Sequence, residues 1–389
     1  MKFLGWVTTL GLILLLGCSP APQKPAAVHP TLEPTASPSP AATLPPSPTS
    51  VSRPQQYTAS TGPAVRLPED EAPHQTPIEW WYYTGHLTEV QREGGPSSKY
   101  GFEMVFFQVY SKDNFPVYVG HMAITDREKG AFVYDQRFSF LPQASSKDGF
   151  ELKIGDWAMR SRDGLDSLAA RMKDYALDLT LRAVKPAVLH GGVGLVPMSG
   201  QDKSYYYSRT RMEASGTIQK QDGLPAAVTG LAWMDHQWGD FNPDGGGGWD
   251  WLGLQLEDGT ELMISVIRGT GDGILLAYGT YVDGRGDARH LPAESFRVEA
   301  TGQWTSPHSG ATYPSGWKLS VPDLRLDLVL TPTIADQELN TVPTTGVIYW
   351  EGEVDITGKR DGRGIIGAGY AELTGYADTK SFLSGGSSR

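Results

Sequence analysis

Cysteine is nearly absent from this chain of 389 residues: Cys18 is the only one. A single thiol cannot close an internal disulfide, so the fold must stand on its packed core in any compartment. Basic side chains are also scarce, 33 Lys and Arg against 44 Asp and Glu, for a formal charge of −11. That balance argues against nucleic-acid partners and against electrostatic docking on anionic lipid. The N-terminal apolar stretch, residues 4–16, is shorter than the roughly 20 residues a membrane-spanning helix needs. No segment sustains a 3.6-residue apolar period, so long helices are not expected. Two chemical signatures are missing as well. There is no Gly-x-Ser-x-Gly elbow for a serine hydrolase, and no His-Glu-x-x-His or other ligand spacing for a metal. His74, His86, His121 and His236 could meet only through the fold. The expectation is that neither a metal nor a cofactor is bound.

What the N-terminus does contain is the layout of an export signal: Lys2, the apolar stretch 4–16, then small residues before a cut. Its end, Leu15-Leu16-Gly17-Cys18, resembles a bacterial lipobox. The resemblance implies that residues 1–17 are removed and that Cys18 is lipidated as the first mature residue. Each buried methylene of such an anchor contributes about 0.8 kcal/mol. Ser19 follows, with no aspartate of the inner-membrane retention type. The expected location is therefore outside the cytoplasm on a membrane, the outer membrane facing the periplasm if the cell has one. Residues 18–63 are rich in Pro, Ala, Ser and Thr, as in Pro34-Thr35-Ala36-Ser37-Pro38-Ser39-Pro40. They lack the apolar side chains that would offset the entropy of folding. Extended polyproline-like geometry gives such a spacer a maximum reach on the order of 130 Å.

The body, from about residue 64, is rich in strand signals. Phe102-Glu103-Met104-Val105-Phe106-Phe107-Gln108-Val109-Tyr110 is an apolar strand covered on both faces. Leu177, Leu179 and Leu181 alternate with polar residues, as do Leu324, Leu326, Leu328 and Leu330. This is the period of a half-buried strand. Residues 165–172 fit either a short helix or one arm of a hairpin. Turn pairs recur between the runs, at Gly94-Gly95-Pro96, Asp148-Gly149, Asp222-Gly223, Asp258-Gly259, Asp283-Gly284 and Asp361-Gly362. Gly362-Arg363-Gly364-Ile365-Ile366-Gly367 matches a dinucleotide-binding pattern, but no helix follows it, so it reads as a hairpin turn. The glycine-rich stretch 239–248 reads as a boundary, giving an N-terminal domain 64–240, a C-terminal domain 241–380 and a frayed tail 381–389.

Two aromatic clusters could carry chemistry. One is His74-Gln75-Thr76-Pro77-Ile78-Glu79-Trp80-Trp81-Tyr82-Tyr83-Thr84-Gly85-His86. The other is Trp233-Met234-Asp235-His236-Gln237-Trp238-Gly239-Asp240, with Trp249 and Trp251 close behind. Ionisable groups among large rings suit an apolar ligand pocket, and aromatic burial raises a carboxyl pKa toward that of a general acid. In a strand, Glu79, Trp81 and Tyr83 share one face while Trp80, Tyr82 and His86 share the other, so one face can be core and the other solvated or inter-domain. Glu351, Glu353 and Asp355 also alternate, and read as a solvated face.

These clusters carry a resemblance. Glu79-Trp80-Trp81-Tyr82-Tyr83-Thr84-Gly85-His86-Leu87 is similar to the opening of the family that contains AttH-type proteins and carotenoid 1,2-hydratases. Matching segments follow in order. They are Tyr206-Tyr207-Ser208-Arg209-Thr210-Arg211-Met212, Trp233 to Gly239, Tyr349-Trp350-Glu351-Gly352, and Gly369-Tyr370-Ala371-Glu372-Leu373-Thr374-Gly375-Tyr376. The resemblance implies an all-β protein of two consecutive lipocalin-like antiparallel barrels. It also implies an apolar small molecule, lipid or isoprenoid, held in or between them, with exported members found beside ABC-transporter components. His236 and Trp238 match positions that the hydratases use. The tyrosine and aspartate those enzymes carry on the following strands are not matched in Leu262-Met263-Ile264-Ser265-Val266-Ile267.

The expected ligand-binding set is Glu79, Trp81, Tyr83, His86, Trp233, Trp238, Trp251, Tyr349 and Glu351. Asp235 and His236 are the acid–base candidates if there is catalysis, with Glu79 and Glu351 in reserve. Binding of an apolar ligand beside an ABC-type exporter is the first expectation, and hydration or isomerisation of an unsaturated substrate the second. The anchor has a direct test: Cys18→Ala should move the protein from the membrane to the soluble fraction. Retention of the variant on membranes would rule out lipid as the tether.

Overall fold

Strand alternation decides this structure, a computed structural model that describes residues 64–90, 97–110, 115–143, 149–198, 202–241, 247–269 and 273–379. Cys18, the spacer 18–63, the turn at Gly94-Gly95-Pro96, Asp148, most of the stretch 240–246 and the tail 381–389 lie outside the described residues. The described residues all belong to one compact unit, Val51–Arg389. Their only helical turns are four 3-10 turns of three residues each. No helix among them is long and apolar enough to cross a membrane. The all-β class read from the sequence is what the chain adopts.

The first sheet opens with β1 (Ile78–Glu89), β2 (Lys99–Tyr110), β3 (Pro116–Asp126), β4 (Ala131–Ser139), β5 (Phe150–Ile154), β6 (Trp157–Arg162), β7 (Leu165–Arg171) and β8 (Tyr175–Ala183). It continues through the short β9 (Val188–Leu189) and β10 (Leu195–Pro197) to the long β11 (Lys203–Lys220) and β12 (Ala226–Gly239). The order is β4-β3-β2-β1-β12-β11-β8-β7-β6-β5, with β9 and β10 on β11. The two edge strands, β4 and β5, come back together and nearly close a barrel. Gln143 bridges that seam as a side-chain substitute for a ladder, its Nε2 donating to Lys153 O at 3.1 Å and its Oε1 accepting from Lys153 N at 2.5 Å. Residues 165–172 therefore fall mainly in a strand, as one arm of the β7–β8 hairpin, and Leu177, Leu179 and Leu181 point into the core.

The second sheet follows from β13 (Trp249–Leu256), β14 (Glu261–Arg268), β15 (Ile274–Val282), β16 (Ala288–Pro292) and β17 (Arg297–Ala300). A separate ribbon pairs β18 (Gln303–Thr305) with β19 (Thr312–Pro314). Then come β20 (Trp317–Val321), β21 (Leu326–Pro332), β22 (Glu338–Asn340), β23 (Ile348–Arg360) and β24 (Arg363–Leu373). Here the order is β16-β15-β14-β13-β24-β23-β21-β20-β17, with β22 on β23. Alternate residues of β13, β21, β23 and β24 pack into one core around Trp317 and Trp350. The turn pairs Asp222-Gly223, Asp258-Gly259, Asp283-Gly284 and Asp361-Gly362 sit between consecutive strands, the last of them the β23–β24 hairpin.

Both sheets spend one strand face on their own core and press the other against each other. Gly101 makes room for this, since a Cβ there would collide with the Tyr370 hydroxyl of β24. Most polar groups caught between the sheets are matched to partners. At one end Glu261 of β14, fully buried, receives Lys185 Nζ at 2.8 Å and Arg211 Nε at 2.5 Å from the first sheet. At the other, Glu353 of β23 takes His86 at 2.8 Å and Arg127 at 3.0 Å. Elsewhere in the seam His121 meets the Tyr349 hydroxyl at 2.9 Å, and Gln255 donates to Thr210 O and Ala232 O. The solvated face expected for Glu351, Glu353 and Asp355 is thus corrected: Glu351 and Glu353 are buried, because that face of β23 lies against β1 to β3.

Removing the carboxylate at the buried end leaves Lys185 and Arg211 with backbone carbonyls but no counter-charge, the costly way to break an ion pair. Glu261→Ala should therefore lower unfolding stability by about 3–5 kcal/mol, read from urea denaturation of the full chain. A loss below about 1 kcal/mol would mean that the pair contributes no more than a surface bridge.

Candidate functional site

Neighbouring residues of a strand point to opposite faces, and this splits the candidate residues into two places. On β1 and β12 the pairs Glu79–Trp238, Trp81–His236 and Tyr83–Met234 face the interior of the first barrel. The pairs Trp80–Gln237 and Tyr82–Asp235 face the second sheet. Asp235 and His236, adjacent in sequence, therefore serve different sites.

Between the sheets lies a cavity of about 70 Å³. The first sheet lines it with Trp80, Tyr82, Phe107 and Tyr206, and the second with Trp249, Trp251, Tyr278 and Tyr349. In this shape it takes several waters or a short apolar segment of a ligand. Four carboxyls share the wall, Glu103 of β2, Asp235 of β12, Glu351 of β23 and Glu372 of β24. No Lys, Arg or His among the described residues joins them.

The four acids are held in different ways. Asp235 is fully engaged: it accepts from Tyr206 OH at 2.5 Å, from Trp233 Nε1 at 2.6 Å and from the Ser208 hydroxyl. Trp251 stands edge-on to Tyr82 and Trp233, and its Nε1 donates to Tyr206 OH at 3.1 Å. Glu372 accepts from Trp249 Nε1 at 3.0 Å. Glu351 accepts from Tyr82 OH at 2.7 Å on Oε1, while its Oε2 has no partner. Neither oxygen of Glu103 has one, although the side chain is buried.

Burial disfavours the charged form of a carboxyl, and like charges nearby add to the effect. Glu103 and Glu351 are accordingly pushed well above the ordinary carboxyl range, by burial first and then by the neighbouring Glu372. Burial raises Glu372 to about 7 and Asp235 to about 6, each against hydrogen bonds that pull downward. Burial thus favours the protonated form of Glu103 and Glu351, beside a carboxyl, Glu372, poised to gain or lose its proton near neutral pH. Rings on both walls can stabilise a developing cation through their π faces.

Of the residues singled out from sequence, Asp235, Trp251, Tyr349 and Glu351 line this cavity, and Trp233 stands behind Asp235. His86 lies along the same seam, bonded to Glu353. Glu79, Trp81, Tyr83, His236 and Trp238 are inside the first barrel instead. Trp81 stacks on His236 there with ring centres 4.9 Å apart, and Tyr83 OH donates to Asp166 at 2.7 Å. Sequence reasoning missed Glu103 and Glu372. The signal for Glu103 was present, as the one carboxyl in the apolar run from Phe102 to Tyr110. Cys18 lies outside the described residues.

Comparison with known proteins gives the following. The AttH-like family model matches residues 58–376. A crystal structure described as an AttH protein of Nitrosomonas europaea is 30% identical, covers 83% of this chain and 100% of its own, and superposes with a TM-score of 0.72. Kievitone hydratase from Nectria haematococca shares the fold at 15% identity, covering 83% of this chain and 96% of its own, with a TM-score of 0.66. The structure of CghA with Sch210972 shares it more distantly, at 12% identity over 78% of this chain and 89% of its own, with a TM-score of 0.51. No curated protein sequence matches.

The cavity acids make a prediction about pH. In the unfolded chain these carboxyls ionise in the ordinary range, whereas in the folded chain they hold their protons to higher pH. Folding therefore takes up protons, and stability must fall as pH rises above that range. The urea midpoint should drop between about pH 5 and about pH 8, and Glu103→Gln should make the drop smaller. An identical drop in the variant would show that Glu103 is ionised in the folded protein.

Proposed function

This chain belongs to the AttH-like family, and on that premise we propose that it binds an apolar molecule with a carbon–carbon double bond between its sheets and protonates it there, as a hydratase or isomerase does. One observation carries the reading: Glu351 Oε2 has no partner inside an aromatic cavity, and burial keeps this carboxyl in its acid form. With Oε1 occupied by the Tyr82 hydroxyl, the proton on Oε2 is free to be donated. A buried polar group without a partner costs stability, so its persistence at a cavity points to a role.

The chemistry then balances with residues in place. The Glu351 O–H bond breaks as the alkene π electrons form a new C–H bond, leaving a carboxylate and a cation on the more substituted carbon. The rings of Tyr82, Trp249 and Trp251 and the new carboxylate offset that charge. In hydration, water adds its oxygen to the cation and loses a proton to Glu372, whose pKa near 7 suits a base. In isomerisation, the adjacent carbon loses its proton to Glu372 instead, and in either case passing that proton to the Glu351 carboxylate, paired with Glu372 across the two strands, restores the starting acid. Kievitone hydratase is by its name a hydratase, and shares the fold. It lends the reaction class and nothing about the substrate. The unmatched tyrosine and aspartate noted above would here be replaced by Glu351 and Glu372.

A second reading rests on the N-terminus. The Leu15-Leu16-Gly17-Cys18 stretch and the long spacer support a lipid-anchored protein outside the cytoplasm. There the same cavity would carry an apolar ligand, lipid or isoprenoid, to or from an ABC-type exporter.

One experiment separates the two. The protein is incubated in D2O with a panel of isoprenoid alkenes, and products are read for carbon-bound deuterium. Native mass spectrometry of protein from its own envelope reports any bound apolar compound. Catalysis predicts deuterium incorporation that Glu351→Gln abolishes while ligand binding persists. A co-purifying ligand with no deuterium uptake by the wild type would favour the carrier.

A further inference from the structure

Inside the first barrel, at the end where β1 begins and β12 finishes, three side chains with metal-binding chemistry converge. Glu79 Oε1 lies 2.8 Å from His74 Nδ1 and 2.7 Å from His236 Nε2. One donor atom from each residue falls within 4.8 Å of the others. Two imidazoles and one carboxylate form a donor set suited to a borderline divalent ion such as Zn²⁺.

We propose that His74, Glu79 and His236 bind a divalent transition metal of the zinc class. The groups behind the donors argue for it, because a ligating histidine is normally oriented by a partner on its other ring nitrogen. His74 Nε2 faces Asp70 Oδ1 at 3.5 Å, and His236 Nδ1 faces the Tyr207 hydroxyl at 3.3 Å. With metal bound, each far nitrogen carries its proton and donates it to one of these oxygens. Without metal, the near nitrogens must carry protons to reach Glu79. A neutral His74 would then turn a bare nitrogen toward the Asp70 carboxylate. The metal-bound arrangement removes that conflict. The other oxygen of Glu79 is fixed by His74 N–H at 2.8 Å and by Gln108 Nε2 at 3.0 Å.

Ring packing holds the site in shape and leaves an entry path. Trp238 lies flat on His74, with ring centres 4.1 Å apart, and Trp81 stacks on His236. Glu79 and His236 are fully buried, while the His74 side chain keeps 21% of its surface exposed. A metal can therefore arrive from the His74 side, and a fourth ligand position would open in that direction. His74 precedes β1, so the ion would pin residues 66–77 to the barrel. This departs from the sequence expectation of no metal, which rested on spacing along the chain. His74 and His236 are brought together only by the β1–β12 pairing. His86 and His121 point into the seam instead. The site is on the barrel side of β1 and β12, so it stands or falls independently of the cavity chemistry.

The test uses the full chain, stripped with chelator and titrated with Co²⁺ and Zn²⁺. One equivalent of Co²⁺ should bind with a visible absorption band, Zn²⁺ should displace it, and Zn²⁺ should raise the thermal midpoint. His74→Ala and Glu79→Gln should lose all three responses, while His308→Ala, at an exposed histidine, keeps them. Should Glu79→Gln fail to fold, His74→Ala decides, since its ring is partly exposed and lies ahead of the strand. No saturable binding by the wild type, or one-equivalent binding that survives His74→Ala, would overturn the proposal.

Discussion

The seam between the two sheets is the constraint on which the rest of this structure depends. A strand has two faces, and β1, β2, β12, β13, β23 and β24 bury both of them, one in a barrel core and one against the opposite sheet. A buried polar group must find a partner, so every polar residue on the shared face has to be matched across it. Glu261 with Lys185 and Arg211, Glu353 with His86 and Arg127, and Gln255 with two backbone carbonyls are such matches. They fix the sheets against each other more specifically than apolar packing would. They also leave the middle of the seam rigidly framed.

That frame gives meaning to the places where matching stops. Among the described residues, four buried carboxyl oxygens lack a hydrogen-bond partner: both of Glu103, Oε2 of Glu351 and Oε2 of Glu71. Three of the four border one cavity. Each such group costs on the order of 1–3 kcal/mol, in a protein whose whole stability is about 5–15 kcal/mol. A fold that satisfies its polar groups along the rest of the seam and forgoes satisfaction beside a cavity is accepting that cost at a site.

Much of this was legible in the sequence. The period-two runs and the Asp-Gly turns mark where strands begin and end, except that Leu324 closes a 3-10 turn and β21 starts only at Leu326. The alternation of Glu79, Trp81 and Tyr83 against Trp80, Tyr82 and His86 correctly divides β1 into two environments. What the sequence concealed was which acids face the cavity. An edge or surface strand announces its solvent face by polar alternation. A strand covered on both sides has no such face, so Glu351 and Glu353 looked solvated and Glu103 looked incidental. The pairing of β23 with β24 then places Glu351 directly beside Glu372, a contact that depends on register and not on spacing. The convergence of His74 on His236 is hidden for the same reason.

Burial also decides which groups in this interior can act as acids. It removes charge from whatever it encloses, and the consequence depends on which form is charged. Histidines stay neutral: burial takes His121 and His190 down to about 3, so neither is an imidazolium at neutral pH. Carboxyls keep theirs, as Glu103 and Glu351 do. An apolar seam with no neighbouring cation therefore keeps a transferable proton on a carboxylic acid. Had Lys185 or Arg211 stood beside Glu351 instead of Glu261, the same residue would be a carboxylate with nothing to give. The pairing of the basic side chains with Glu261 and Glu353, and their absence among the described residues that line the cavity, is what separates structural acids from reactive ones.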